Sequence, residues 1–194
     1  MQIIKIPGQI LESALSIAGI RIGTEEPHCL RRPLTDSVEI RRYGPRIAAE
    51  TTVNDNEDRA RGVGFRRLAD YIFGANERDD TISMTAPVAQ ARGTDGRWTI
   101  RFFMPSKWTM DTLPAPDSED VTLVTAPGET VAVLRFSGDR GPKAVAARTD
   151  ELTRTLLDNG IEPVGDAVAW FYDPPWTLPF RRRNEIAIPV VDPT

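Results

Sequence analysis

Histidine and cysteine are almost missing from this chain: His28 and Cys29 stand alone, side by side, in 194 residues. One thiol cannot close an intrachain disulfide, and such sparing use suits a reducing compartment. One imidazole next to one thiol cannot build a two-cysteine, two-histidine zinc site either. The chain also lacks a G-x-S-x-G nucleophile elbow and a phosphate-cradling P-loop. No run is long and apolar enough for a membrane span: Ile10 to Ile22 is too short and too interrupted. It follows only one basic residue, Lys5, and no small-x-small site ends it, so no secretory leader is expected. A formal charge of −4 argues against a general nucleic-acid binder. The 27% charged and 40% hydrophobic residues are ordinary for a soluble globular protein, expected here in the cytoplasm. At this length folding buries roughly 70% of the unfolded chain's surface, so a core forms without staples.

Residues 1–34 read as a helical extension, in which Ile10, Leu11, Ala14, Leu15, Ala18 and Ile22 recur at helical spacing. This helix is expected to pack on the body or to mediate a homodimer or another protein contact. A membrane-surface anchor suits it less, because the face carries no Lys or Arg before Arg21. Residues 35–194 form the main domain, in halves at about 35–106 and 119–191. In the first half, alternation at Val38 to Tyr43 and Ile47 to Val53 predicts strands around Gly44-Pro45. Asn54 to Glu57 caps a helix carrying Val63, Phe65, Leu68, Ala69, Ile72 and Phe73, which Gly74 ends. Strands over Ile82 to Ala91 and Trp98 to Met104 follow. The second half repeats the order, with strands at Val121 to Thr125 and Thr130 to Phe136. A helix opening at Pro142 and ending at Asn159-Gly160 comes next, then strands at Val164 to Tyr172 and Asn184 to Val190. The expected fold is α+β: duplicated ββαββ halves closing a distorted, largely antiparallel eight-stranded barrel, flanked by two helices, with the N-terminal helix added. A Pro-rich link from Pro105 to Asp120 crosses the outside.

Two segments concentrate the chemistry. Met84-Thr85-Ala86-Pro87-Val88 starts a strand with a proline that suits a barrel corner, or else part of a built site. Trp170, Phe171, Tyr172, Trp176 and Phe180 crowd a stretch stiffened by Pro174-Pro175 and Pro179. So aromatic a loop either grips a flat apolar ligand or covers the barrel end. Arg181, Arg182 and Arg183 follow, offering planar forks for a carboxylate or a solvated charged face. His28 is the candidate axial ligand for a haem iron, against the plainer reading of an exposed loop residue. Gly62 and Gly64 do not make a phosphate cradle by themselves.

Several motifs in order resemble the SOUL haem-binding family over almost all of Thr35 to Val190. They are Glu39-Ile40-Arg41-Arg42-Tyr43, Phe65-Arg66-Arg67-Leu68, Tyr71-Ile72-Phe73-Gly74-Ala75-Asn76, Met84-Thr85-Ala86-Pro87-Val88, Phe102-Phe103-Met104-Pro105-Ser106, and Tyr172-Asp173-Pro174-Pro175 with Arg182-Arg183-Asn184-Glu185. The resemblance implies the duplicated barrel and the binding of haem or other tetrapyrroles in a cleft between the first barrel helix and the late loop. It further implies a non-enzymatic role held by apolar contact without a shared axial ligand. Carried onto this chain, Phe65 and Ala69 line the helix side with Arg66 beside them, Trp176 closes the loop side, and Arg181 reaches a propionate. Two positions depart from the family's habit: Phe65 stands where relatives often have methionine, and Thr177 where a basic residue can occur.

The functional expectation is a soluble carrier, buffer or sensor of haem or porphyrin. The rivals are an enzyme that removes iron from haem or degrades the ring, and a general module for apolar small molecules.

Overall fold

The computed structural model describes residues 24–192, so the expected helix over 10–22 lies outside the described residues. Nine strands and two helices follow in the order β1 (Cys29–Pro33), β2 (Val38–Tyr43), β3 (Arg46–Val53), α1 (Glu57–Ile72), β4 (Val88–Arg92), β5 (Trp98–Phe103), β6 (Thr122–Ala126), β7 (Glu129–Phe136), α2 (Pro142–Asp158), β8 (Val168–Phe171) and β9 (Asn184–Pro189). A short 3₁₀ turn, Pro179–Arg181, interrupts the last connection. All strands join one antiparallel sheet in the order β1-β2-β7-β9-β8-β4-β5-β3-β6.

The fold is therefore mixed α+β, as expected, with two differences. There are nine strands rather than eight, because Cys29–Pro33 pairs along β2. This edge strand carries no alternating apolar pattern, since most of its residues are exposed, so periodicity could not reveal it. The sheet also stays an open half-barrel: β1 and β6 are its two edges among the described residues. It curls far enough that Ala48 of β3 and Val131 of β7 share one buried cluster despite their separation in strand order.

Both helices cover the same face. Leu152 and Leu156 of α2 pack on Ile40, Leu134, Phe171 and Ile186, whereas Leu68, Tyr71 and Ile72 of α1 pack on Ala49, Ile100 and Phe102. The opposite face folds over Tyr43, Ala89, Phe103, Trp170 and Ala187. Asn56 caps α1 by accepting a hydrogen bond from the Arg59 amide at 3.1 Å, and acidic Glu57 and Asp58 suit its first turn. Its inward face is Ala60, Gly64, Leu68, Tyr71 and Ile72, not the stripe through Phe65 and Phe73, both of which are exposed. Gly64 explains the rotation. A Cβ there would lie 2.5 Å from Ile100 Cγ1, so the helix backbone rests directly on β5.

Pro87 gives the ladder no N–H, and β4 begins only after it. The preceding corner is built by side chains. Thr85 donates its hydroxyl to the Phe103 carbonyl, and buried Asn76 binds the Tyr71 and Asp80 carbonyls at 3.0 and 2.8 Å. The Pro-rich link does more than cross the outside. Its Leu113 enters the core under α1, and the Pro114 carbonyl accepts the Tyr71 hydroxyl at 3.0 Å.

An ionic cluster holds the inner face. Glu185 is 0% exposed and Arg41 1%. Arg41 clamps the Glu185 carboxylate with Nη1 and Nη2 at 2.7 and 2.9 Å. Arg183 Nε and the Tyr172 hydroxyl donate to the same carboxylate at 2.8 and 2.7 Å. Glu39 binds Arg41 from the other side, and Glu26 binds Arg183 at 2.8 Å. Burial alone would push the Glu185 carboxyl up. The hydrogen bonds and charge of Arg41, with the charge of Arg183, more than reverse this and hold it below the usual carboxylate range.

Two outcomes are expected. Glu185→Gln strands two buried guanidinium groups and lowers unfolding free energy by about 3–5 kcal/mol in urea titration. Because the native carboxyl titrates lower than the unfolded one, its stabilisation is complete above about pH 4.3 and is lost as pH falls further. The variant's acid limb is correspondingly shallower. Gly64→Ala drives a methyl into Ile100 and costs about 1–3 kcal/mol, seen as a melting temperature lower by roughly 3–8 °C.

Candidate functional site

The start of α1 meets the loop after β8 through two arginines. Arg61, one helical turn before Phe65, donates from Nε to Gln90 Oε1 at 2.7 Å and lies 4.6 Å over the Phe171 ring. Arg140, just before α2, stands 5.6 Å over the same ring and donates to the Asp173 carbonyl at 2.9 Å. Arg61 also approaches the Arg140 carbonyl at 3.4 Å. Burial, then the charges of Arg61 and Arg182, bring Arg140 down to about 10. Burial lowers Arg61 as well, against the pull of Asp58 and Glu57. Arg61 is balanced by Glu57 and Asp58, each at 3.4 Å, so Arg140 is the half-desolvated cation that an incoming anion would relieve.

The loop itself is tied at its base. Asp173 Oδ2 accepts the Arg183 amide at 2.7 Å, and the Tyr172 amide donates to the Arg183 carbonyl at 3.2 Å. Arg182 spans the interior of the turn, donating to the Thr177 and Pro175 carbonyls at 2.8 and 2.7 Å. Thr177 is fully buried, and its amide closes on the Pro174 carbonyl at 3.2 Å. With its polar groups turned inward, the loop shows solvent an apolar surface: Trp176 is 60% exposed and Phe180 70%. Exposed aromatic surface on a braced loop is available for a flat ligand.

The expected site residues fall on α1, on the late loop and, for His28, in a separate cleft. Phe65, Arg66 and Ala69 share α1; Phe65 is 39% exposed and rests edge-on against Phe102 at 5.3 Å between ring centres. Arg66 is exposed and Ala69 half-buried. Trp176 and Arg181 occupy the loop, where the Arg181 guanidinium lies 6.0 Å from the Phe180 ring centre. His28 is elsewhere. It lines a cleft with Arg46, Phe103, Met104 and Trp108, whose lining includes no residue of α1 or of the loop. Arg61, Arg140 and Gln90 went unnoticed in the sequence, and no local spacing marks them: Arg61 and Arg140 are 79 positions apart.

The inner face of the curled sheet is a poor alternative. Its remaining space among Ala89, Phe103, Val131 and Trp170 is about 60 Å³, room for a few waters. Its carboxylate, Glu185, is already paired.

A family model described as SOUL heme-binding protein matches residues 24–189. The chain belongs to the SOUL haem-binding family. It is 35% identical to heme-binding protein 2 of Homo sapiens over 164 residues, 79% of this chain and 78% of that one. Heme-binding protein 1 of Bos taurus is 26% identical over 149 residues, 74% and 77% of the two chains. Among solved structures, the EcmrR C-terminal domain superposes with a TM-score of 0.57 at 12% identity, covering 84% of this chain and 98% of that one. An uncharacterized conserved protein from Listeria innocua gives 0.56 at 13% identity, over 80% and 92%. At those identities the likeness is one of fold. Among the described residues no helix is long and apolar enough to cross a membrane.

For a SOUL-family chain, much of the motif set turns out to be structural here. Arg41, Tyr172, Arg183 and Glu185 form the ionic cluster, and Asn76 and Thr85 build the corner before β4. The α1–loop edge retains exposed aromatics and partly desolvated arginines, groups suited to a porphyrin's faces and carboxylates. Removing the loop's brace should loosen it without unfolding the protein. In Arg182→Ala, amide exchange at Thr177 is expected to accelerate roughly tenfold while global stability changes little.

Proposed function

We propose that this chain binds haem or a related tetrapyrrole at the edge between α1 and the Pro174–Arg182 loop, as a carrier, buffer or sensor rather than as an enzyme. The observation that carries the reading is Arg140, half-buried over the Phe171 ring with Arg61 and Arg182 disfavouring its charge, so that a carboxylate would relieve it at a rim flanked by exposed Phe65 and Trp176. In this reading Phe65 and Ala69 face the macrocycle from the helix, Trp176 stacks on it from the loop, and Arg140 and Arg181 take the propionates. Arg66, on the exposed flank of α1, adds charge beside them. Burying apolar faces at roughly 25 cal/mol per Å² supplies several kcal/mol, so affinity here does not need an axial ligand. His28 lies outside this set, and iron-free porphyrins bind comparably. The names of the matched relatives, heme-binding proteins 1 and 2, point the same way.

The strand order supports reading the domain as a duplicated ββαββ unit. Exchanging β2, β3, β4 and β5 for β6, β7, β8 and β9 turns the order from β2 to β6 into its own reverse. The candidate site then uses the first unit's helix and the second unit's last connection.

Haemin and protoporphyrin IX titrated by absorbance and tryptophan quenching should each saturate at one equivalent. Trp176→Ala should weaken both at least several-fold. Arg140→Ala and Arg181→Ala should weaken the free acids more than the dimethyl ester of protoporphyrin. Absence of saturable binding overturns the ligand class, and equal losses for acid and ester overturn the role of the arginines.

A further inference from the structure

The late loop exposes more apolar surface than the tetrapyrrole reading uses. Pro175, Trp176, Leu178, Pro179, Phe180 and Arg181 all face solvent, and that reading assigns nothing to Leu178 or Phe180. The backbone beneath them makes few demands on water. Pro174, Pro175 and Pro179 carry no N–H. The Pro174 carbonyl accepts the Thr177 amide at 3.2 Å, and the Leu178 carbonyl accepts the Arg181 amide at 2.9 Å. The Pro175 and Thr177 carbonyls accept from Arg182, and the Pro179 carbonyl accepts the Gly138 amide at 2.8 Å. Main-chain groups that solvent would otherwise satisfy are thus paired within the protein, so taking the loop out of water costs little.

We propose that this loop enters the interfacial layer of a phospholipid bilayer, with Trp176, Leu178 and Phe180 among the upper acyl chains and Arg181 at the level of the phosphates. Tryptophan favours that layer because its ring is apolar and its N–H polar, and an arginine beside it passes its apolar stem through the boundary to reach anionic oxygens. The charges around the loop suit the contact. Arg140, Arg181 and Arg182 stand against Asp139 and Asp173, a positive surplus in a chain whose net charge is −4. Both carboxylates are turned to main-chain amides: Asp139 accepts those of Arg140 and Gly141 at 2.8 and 3.1 Å, and Asp173 that of Arg183. A bilayer also fits six exposed residues better than a protein partner does. A stable protein interface draws about 20–30 residues from each side, whereas a lipid surface takes a few inserted side chains. The inference does not rest on tetrapyrrole binding, although the two share Trp176.

The test sediments the full chain with sucrose-loaded vesicles of phosphatidylcholine mixed with phosphatidylglycerol. Saturable binding is expected, and Leu178→Ser combined with Phe180→Ser should weaken it at least tenfold. Vesicles brominated on the acyl chains should quench the tryptophan fluorescence of the wild-type chain. Trp176→Phe, which keeps an aromatic ring on the loop, should bind within about threefold of wild type yet lose most of that quenching. The proposal is overturned if the wild-type chain does not bind, if the double variant binds as well as wild type, or if the quenching persists in Trp176→Phe. A dimer of the free protein that the double substitution abolishes also overturns it, and assigns the loop to a second copy. The bromine quenching of wild type against Trp176→Phe decides the matter even if the double variant does not fold. No porphyrin is present, so failure here leaves the tetrapyrrole reading standing, and haemin that does not bind leaves this one standing.

Discussion

Glu185 is the point through which the separate parts of this fold are connected. Its carboxylate sits on β9 and receives Arg41 from β2, Tyr172 from the end of β8 and Arg183 from the end of the late loop. In strand order β2 and β9 are separated by β7, so the clamp spans a strand and helps fix the curl. Arg183 extends the connection to Glu26, drawing the segment before β1 onto the same cluster. A buried carboxylate is costly to desolvate, and it is tolerated here because every partner donates to it. The expense falls on position: few geometries satisfy two guanidinium groups and a phenol on one carboxylate, which makes the cluster a reason for one register rather than several.

That arrangement explains how the candidate edge can expose so much apolar surface. The loop leaves β8 at Tyr172 and returns at Arg183, both bound to Glu185, and Asp173 ties the two ends together. Arg182 then fills the turn from within. With both ends and the middle fixed by polar contacts, Trp176 and Phe180 need not pack inward for the loop to hold its shape. The stability is drawn from charged groups in the sheet, and the aromatic surface is left exposed.

Much of this was legible in the sequence, and what escaped has physical reasons. The strands from β2 onward and both helices announced themselves through alternation, caps and glycine stops, because half-buried elements carry periodic patterns. β1 has no buried side to alternate with, and its pairing depends only on backbone groups. The inward face of α1 was displaced because Gly64 contributes contact without being counted as apolar. The loop's aromatics and arginine run were visible as composition, but not that Arg183 serves the core while Arg182 braces the turn. Partners for those two lie at Glu185, Glu26 and main-chain carbonyls, which no spacing rule reaches. Arg61 and Arg140 look like ordinary surface charges until the fold sets them over one phenylalanine.

Two places in the fold reuse one device with different electrostatic surroundings. In each, an arginine lies over an aromatic ring: Arg46 over Tyr43 and Phe103, Arg61 and Arg140 over Phe171. The ring accepts the guanidinium face and fixes its edge, so donor direction is set before any ligand arrives. What differs is the compensation. Arg46 has Glu129 on its fork, and Glu25 stands nearby, leaving a directed donor without surplus positive charge. Arg61 is paired with Glu57 and Asp58, whereas burial and the charges of Arg61 and Arg182 lower Arg140's hold on its proton despite Asp173 and Asp58 nearby. The difference in electrostatics between these two places thus follows from where the carboxylates sit rather than from the arginines themselves.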